Sequence, residues 1–140
     1  MSLFTDSINA KTPGREDAKK IENILAALIV DAAVEVHRTL GGPGLLESLY
    51  EELKLRNVPV QAQVQIPVTY KGCTLRNSMR LDLLVDGRVI IEVKATEQQQ
   101  AVHKAQVLTY LRLTKLKLGL LFNFGQKLLR NGIERIVNDL

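Results

Sequence analysis

The apolar residues of this chain change their period at Pro59, and that change constrains the fold more than any other feature. Upstream, Ile21, Ile24, Leu25, Leu28, Ala32 and Val36 recur at three and four, which lines one side of a helix. Downstream, Val60, Ala62, Val64, Ile66, Val68 and Tyr70 alternate with polar residues, the period of a strand with one buried and one wet face. A chain that switches in this way has to pack helices on a sheet. The spacing predicts helices over 16–40 and 45–56, strands over 60–70, 73–85 and 89–94, a helix over 101–113, and strands over 116–124 and 133–137. The order ααβββαββ predicts an α/β fold of α+β character, with helices flanking a mixed sheet. Residues 1–15 read as a loose tail and 16–140 as one domain. Gly41-Gly42-Pro43-Gly44 breaks the first helix, and Pro67 suggests either that its strand lies at a sheet edge or that its missing N–H points outward there.

Composition narrows the function classes. At 140 residues, 46% hydrophobic and 24% charged, the chain can bury a core and is not disordered. Aromatics are 4% with no Trp, which argues against carbohydrate platforms and single-strand binders built on stacked rings. One Cys, Cys73, excludes a disulfide framework and a multi-cysteine zinc site, so a reducing compartment fits. The first fifteen residues are polar, and the longest apolar run, 24–30, stops at Asp31. No signal peptide or membrane span is therefore expected, and the cytoplasm is the default.

The net charge of +4 is unevenly placed. Residues 1–100 carry 12 Lys/Arg against 13 Asp/Glu, while residues 101–140 carry 7 against 2. That basic stretch, from His103 past Lys117 to Arg135, reads as a candidate wall for a polyanion.

The segment that carries chemistry runs from Arg80 to Lys94. Two apolar strands each present a carboxylate, Asp82 and Glu92, and the second adds Lys94 on the same face as Glu92. The turn decides whether Asp82 joins them. A two-residue loop at Asp86-Gly87 pairs Val85 with Arg88 and puts Asp82 on the opposite face. A three-residue loop, Val85-Asp86-Gly87 with Gly87 left-handed, pairs Asp82 with Ile90 and brings all three together. The second is expected. Two carboxylates on neighbouring strands suit a hard cation such as Mg²⁺ or Mn²⁺. Such an ion polarises a phosphoryl group and acidifies a bound water, and a lysine beside it stabilises the growing charge. The same three residues are also compatible with an ion pair on a solvated sheet face.

Helical spacing adds two further sets. Glu47, Tyr50 and Glu51 lie on one side of the second helix, and His103, Gln106 and Tyr110 on one side of the third. A helical Glu facing the strand carboxylates can complete or orient a metal shell. Gln106 can donate to a phosphate, Tyr110 can pack over a sugar or base, and His103 can flank the entrance. His37 falls with Val30, Ala33 and Leu40 and reads as a packed histidine rather than a ligand.

These residues carry a resemblance. Gly44-Leu45-Leu46-Glu47-Ser48-Leu49-Tyr50 matches the GxxExxY signature of a family of small bacterial proteins, and Glu35-Val36-His37-Arg38-Thr39-Leu40-Gly41 looks like its lead-in. Asp82 with Glu92-Val93-Lys94-Ala95 resembles its central motif. Gln106 to Leu111 and Gly119 to Phe124 resemble its C-terminal half, so the similarity runs over about 24–138. The second helix is shorter than in the family pattern by more than a turn, and the glycine loop has one glycine more. That family is placed in the PD-(D/E)XK nuclease superfamily, whose core is a mixed sheet flanked by helices, the restriction-endonuclease-like core. The resemblance implies metal-dependent phosphodiester hydrolysis with Asp82 and Glu92 as metal ligands and Lys94 as the catalytic lysine. Glu47 corresponds to the superfamily's helix-borne acid, and Gln106 and Tyr110 to the Gln-x-x-x-Tyr element of its exonuclease-like branch. The expected partner is nucleic acid, DNA or RNA, with a second copy of the chain or a partner protein supplying sequence readout. The rival class is a noncatalytic nucleic-acid or protein interaction module on the same scaffold.

Overall fold

The structure is a computed structural model, described over residues 15–41, 45–96, 101–125 and 129–140. The expected tail and most of the glycine-proline break after the first helix lie outside those residues. Helix α1 (Arg15–Leu40) opens with Glu16 and Asp17 and closes with His37 and Arg38, charges that complement its dipole at both ends. Of its expected stripe, Ile21, Leu25, Ala32 and Val36 are buried and Leu28 is half-buried, but Ile24 is exposed, and Ile29 and Ala33 complete the buried side instead. Helix α2 (Leu45–Leu55) follows, burying Leu45, Leu49 and Leu53, one residue per turn. Asn57, at φ 59°, turns the chain out of this helix.

Five strands form the main sheet: β1 (Val60–Ile66), β4 (Met79–Val85), β5 (Val89–Lys94), β6 (Leu118–Asn123) and β7 (Ile133–Val137), in the spatial order β1-β4-β5-β6-β7. Only the β5–β6 pair is parallel, and helix α3 (Ala101–Thr114) makes the crossover between them. Helices α1 and α2 cover one face around Leu83, Val85, Val89, Ile91, Leu120 and Phe122. Helix α3 covers the other, packing Val107, Tyr110 and Leu111 on Leu81, Ile90 and Leu121. Strands β5 and β6 are covered on both faces, so 89–92 and 118–123 are buried without a break, and Glu92 and Asn123 are the polar residues in those runs. Helix α3 sits so close to β6 that a Cβ on Gly119 would lie 2.5 Å from Val107 Cγ1. Among the described residues no helix is long and apolar enough to cross a membrane.

The fold is thus a mixed α+β sheet flanked by helices, with three local corrections to the expected strands. The alternation from Val60 to Tyr70 is not one strand: β1 ends at Ile66, and Thr69–Tyr70 (β2) pairs instead with Cys73–Thr74 (β3) in a separate two-stranded sheet. Pro67, which has no N–H to donate, sits at the break. The expected strand 73–85 is divided for the same reason into β3 and β4. The buried and wet faces also fail in β1, which is exposed over Gln61, Ala62 and Gln63 because it is an edge strand.

The third correction concerns the β4–β5 turn. The loop has three residues, but they are Asp86, Gly87 and Arg88, so that Val85 pairs with Val89 and Leu83 with Ile91. Asp86 (φ 53°) and Gly87 (φ 63°) are both left-handed, and Arg88 N–H closes the turn on Val85 C=O at 2.9 Å. Continuing that register sets Asp82 opposite Glu92 itself, not Ile90. Two residues of register leave the parity unchanged, so the two acids still meet.

Candidate active site

Asp82 and Glu92 meet where the β4–β5 ladder stops. Glu92 Oε1 accepts the Asp82 N–H at 3.1 Å, and Asp82 Oδ2 accepts the Val93 N–H at 2.9 Å. Each carboxylate takes a backbone donor of the opposite strand, in place of the strand-to-strand bonds that hold Leu83 to Val85 against Val89 to Ile91. Lys94 Nζ lies 3.8 Å from Glu92 Oε2. Glu92 is only 2% exposed. Burial and then the neighbouring Asp82 charge push its pKa up to about 7, against the opposing pull of the Asp82 N–H and Lys94.

A matched irregularity in β1 and β4 frames this pair. Ala62 pairs with Leu83 and Val64 with Leu81, but Gln63 and Asp82 between them do not pair. Gln63 is left-handed, with φ 55°. Residues two apart in an unbroken strand share a face, yet Leu83 packs under α1 and α2 while Leu81 packs under α3. Val60 and Val64 divide in the same way. Both strands therefore change face at the Gln63–Asp82 step, and because the register is the same on either side, neither carries an extra residue. Alternation in the sequence contains no sign of this, and Gln63 was invisible as a site residue.

The α3 side supplies Gln106 and Tyr110. Tyr110 is 5% exposed, and its hydroxyl pKa is raised by burial and then by the Glu92 and Asp82 charges, while a hydrogen bond with Gln106 opposes the shift. Tyr110 thus lies within the field of both acids. His103, half-buried, lies one turn before Gln106 on the same helix.

The α2 side supplies a cleft of about 630 Å³. Glu47, Tyr50 and Glu51 line one wall, and Gln63, Val93 and Lys94 line the other. Lys94, at the end of β5, thus belongs both to the acid pair and to the cleft. Glu47 is exposed at this wall. Among the described residues no three acidic, histidine or cysteine side chains gather into a metal-holding group, so Asp82 and Glu92 form a pair to which Glu47 is not joined in this conformation. His37 packs on Phe124, ring centroids 6.1 Å apart.

Asn123 is a second residue whose position the sequence did not reveal. Paired with Lys94 across β5 and β6, it is buried, and its Oδ1 accepts the N–H groups of Thr96 and Gly125 at 3.0 Å each. Phe124 N–H bonds Lys94 C=O at 2.8 Å. Together these bonds fix the strand end that carries the lysine.

The expected basic wall does not form as one surface. Lys117 sits before β6, about 20 Å of strand away from Asn123 at the site end, and lies 3.8 Å from Asp139. Lys104 faces Glu134 at 3.7 Å, and Arg135 donates to Asn23 of α1 at 2.5 Å. Charges adjacent in sequence are divided between both ends and both faces of the sheet.

A buried carboxylate facing a second one, with a lysine in contact, fits a hard divalent cation. The donors are all oxygen, and the raised Glu92 pKa is the signature of negative charge that burial leaves undercompensated. Among curated proteins, none matches this chain. Among solved structures, the chain resembles the crystal structure of SSO0001, with a TM-score of 0.53 at 21% identity over 69% of this chain and 49% of that one. The chain thus spans about half the length of that protein, and at this identity the likeness concerns the fold, a restriction-endonuclease-like one. A family model described as the PD-(D/E)XK nuclease superfamily matches residues 23–136. With that match spanning α1 to β7 and including Asp82, Glu92 and Lys94, the chain belongs to the PD-(D/E)XK nuclease superfamily.

Proposed function

We propose that this chain is a metal-dependent nuclease of the GxxExxY family that hydrolyses phosphodiester bonds in nucleic acid. The observation that carries the reading is the opposed pair Asp82 and Glu92 with Lys94 Nζ 3.8 Å from the Glu92 carboxylate. Asp82 and Glu92 would hold Mg²⁺ or Mn²⁺, with Glu47 of the facing cleft wall as the third acid. When bound, the ion supplies Lewis acidity to a phosphoryl oxygen and lowers the pKa of a coordinated water.

The chain's own groups do the rest. Lys94 holds a water by hydrogen bonding and places positive charge beside the oxygens that become more negative as the phosphorane forms. Gln106, held by its hydrogen bond with the buried Tyr110, donates to a neighbouring phosphate, and Tyr110 packs beside the sugar or base. His103 flanks the entrance. The backbone bonds that each carboxylate accepts preset its orientation before substrate arrives. The single Cys suits work in a reducing, cytoplasmic setting, and a second copy or a partner protein would supply sequence readout.

The test compares wild type, Asp82→Ala and Lys94→Ala on single- and double-stranded DNA and RNA, with Mg²⁺, Mn²⁺ or EDTA. Metal-dependent cleavage by the wild type alone is expected. Equal trace cleavage by all three proteins means contamination and ends the claim for those substrates.

A further inference from the structure

The β2–β3 ribbon has no part in the core. Every residue from 69 to 78 is exposed, including Tyr70 and Leu75. The ribbon is the continuation of β1 and β4, the two strands that frame the acid pair, and Met79 and Ile66 at its base lie only about 10 Å of strand beyond Asp82 and Gln63. Its tip is tight: Lys71 (φ 48°) and Gly72 (φ 81°) are both left-handed, Tyr70 pairs with Cys73, and Thr69 with Thr74. Lys71 Nζ stands 5.4 Å from the Tyr70 ring centroid.

Its charge has one sign. Residues 53–81 contain no Asp or Glu, and the ribbon and its base carry Lys71, Arg76 and Arg80, all exposed. Three spaced cations along a narrow arm match the phosphate lines that border a groove, and the Thr69–Thr74 pair adds hydroxyls and methyls between them. A two-stranded ribbon fits the major groove of B-form DNA, about 12 Å wide, whereas the deep, narrow major groove of A-form RNA excludes it.

We infer that the β2–β3 ribbon enters the major groove of double-stranded DNA, with Lys71, Arg76 and Arg80 on the flanking phosphates, and so holds a DNA duplex against the Asp82–Glu92 site. The inference rests on the nuclease reading for its purpose but not for its test, because binding is read without cleavage.

Fluorescence anisotropy in EDTA would compare a labelled DNA duplex, the RNA duplex of the same sequence and the DNA single strand. The proteins are the wild type, a ribbon variant (Lys71→Gln, Arg76→Gln, Arg80→Gln) and a charge-matched control (Lys19→Gln, Lys20→Gln, Lys117→Gln). Lys71, Arg76 and Arg80 are all exposed, so the variant keeps the fold, which thermal melting verifies. The wild type should bind the DNA duplex at least about tenfold more tightly than either alternative. The ribbon variant should lose at least about tenfold, and its slope of log affinity against log salt should fall by about 3, while the control stays within about twofold. Dimethyl sulfate should find guanine N7, a major-groove atom, protected by the wild type and the control but not by the ribbon variant. The inference is overturned if the ribbon variant binds as the wild type does, if the control weakens equally, if RNA duplex or single strand binds as tightly, or if no DNA binding occurs. Duplex binding through the ribbon without cleavage in Mg²⁺ upholds this inference and instead removes the nuclease reading.

Discussion

Asp82 and Glu92 lock each other's strands: the Glu92 carboxylate accepts the Asp82 N–H, and the Asp82 carboxylate accepts the Val93 N–H. The arrangement orients both acids but leaves Glu92 buried next to a second negative charge. In the folded protein its pKa rises to about 7 from an ordinary 4.5. Between those values the native state binds more protons than the unfolded one, so stability falls as pH rises through that window. In metal-free protein the fall due to Glu92 should reach about 3 kcal/mol by pH of about 8. Urea unfolding across this range should show it in the wild type and not in Glu92→Gln. Mg²⁺ should restore stability to the wild type above its pKa, because a bound cation replaces the proton. Parallel pH curves for the two proteins would refute the assignment.

Lys94 is half-buried at the end of β5, and its ammonium neighbours one oxygen of Glu92. If it stabilises charge on the phosphorane, Lys94→Gln should lower kcat by about 10² to 10³ while leaving KM nearly unchanged. Metal affinity, read by calorimetry with Mn²⁺, should persist because the carboxylates remain. A loss confined to KM would assign the lysine to substrate binding instead.

Gln63 adopts a left-handed backbone opposite Asp82, where the side chain is exposed and the strand changes face. A β-branched residue resists that conformation, so Gln63→Val should cost about 1–2 kcal/mol and reduce cleavage by misplacing Asp82. Gln63→Gly, free of the Cβ conflict, should keep stability within about 1 kcal/mol and retain activity. Equal behaviour of the two variants in urea unfolding would show that the backbone geometry is incidental.

At the far end of the β4–β5 hairpin, Arg88 lies 3.3 Å from Glu22 of α1 and 3.8 Å from the buried Asp86 carboxylate. Burial raises the Glu22 pKa, with Arg88 opposing the shift. Arg88→Met would leave two buried carboxylates without their cation and should destabilise by about 3–5 kcal/mol. The double variant Glu22→Gln, Arg88→Met should recover part of that loss. Thermal and urea unfolding measure both, and an additive double variant would contradict the coupling.

The pattern of apolar residues was enough to place α1, α2, β5, α3, β6 and β7 to within about two residues of their ends. Each of those segments buries one stripe or both faces, and burial is what periodicity records. The β1 edge and the ribbon beyond it escaped it. The run Val60 to Tyr70 alternates cleanly, but β1 lies at the sheet edge and β2 leaves the sheet at Pro67, so neither buries the face that its alternation promises. The turn at Asp86-Gly87 showed the same limit: glycine announced a three-residue loop, while the choice of residues followed from the fit of Val85 against Val89.

Of the proposed site, local sequence singled out the candidate residues, because two carboxylates and a lysine on apolar strands are conspicuous wherever they occur. It also determined the parity that lets Glu92 and Lys94 share a face, since a strand repeats every two residues. Tertiary structure alone decided that Asp82 opposes Glu92, that Tyr110 of α3 lies within the field of both, and that Glu47 stands across a cleft. It also decided that the basic residues after 101 divide between two ends of the sheet and that the strand changes face at Gln63. Those relations join residues 10 or more apart in the chain, through the simultaneous packing of two helical layers on one sheet, and no local period encodes them.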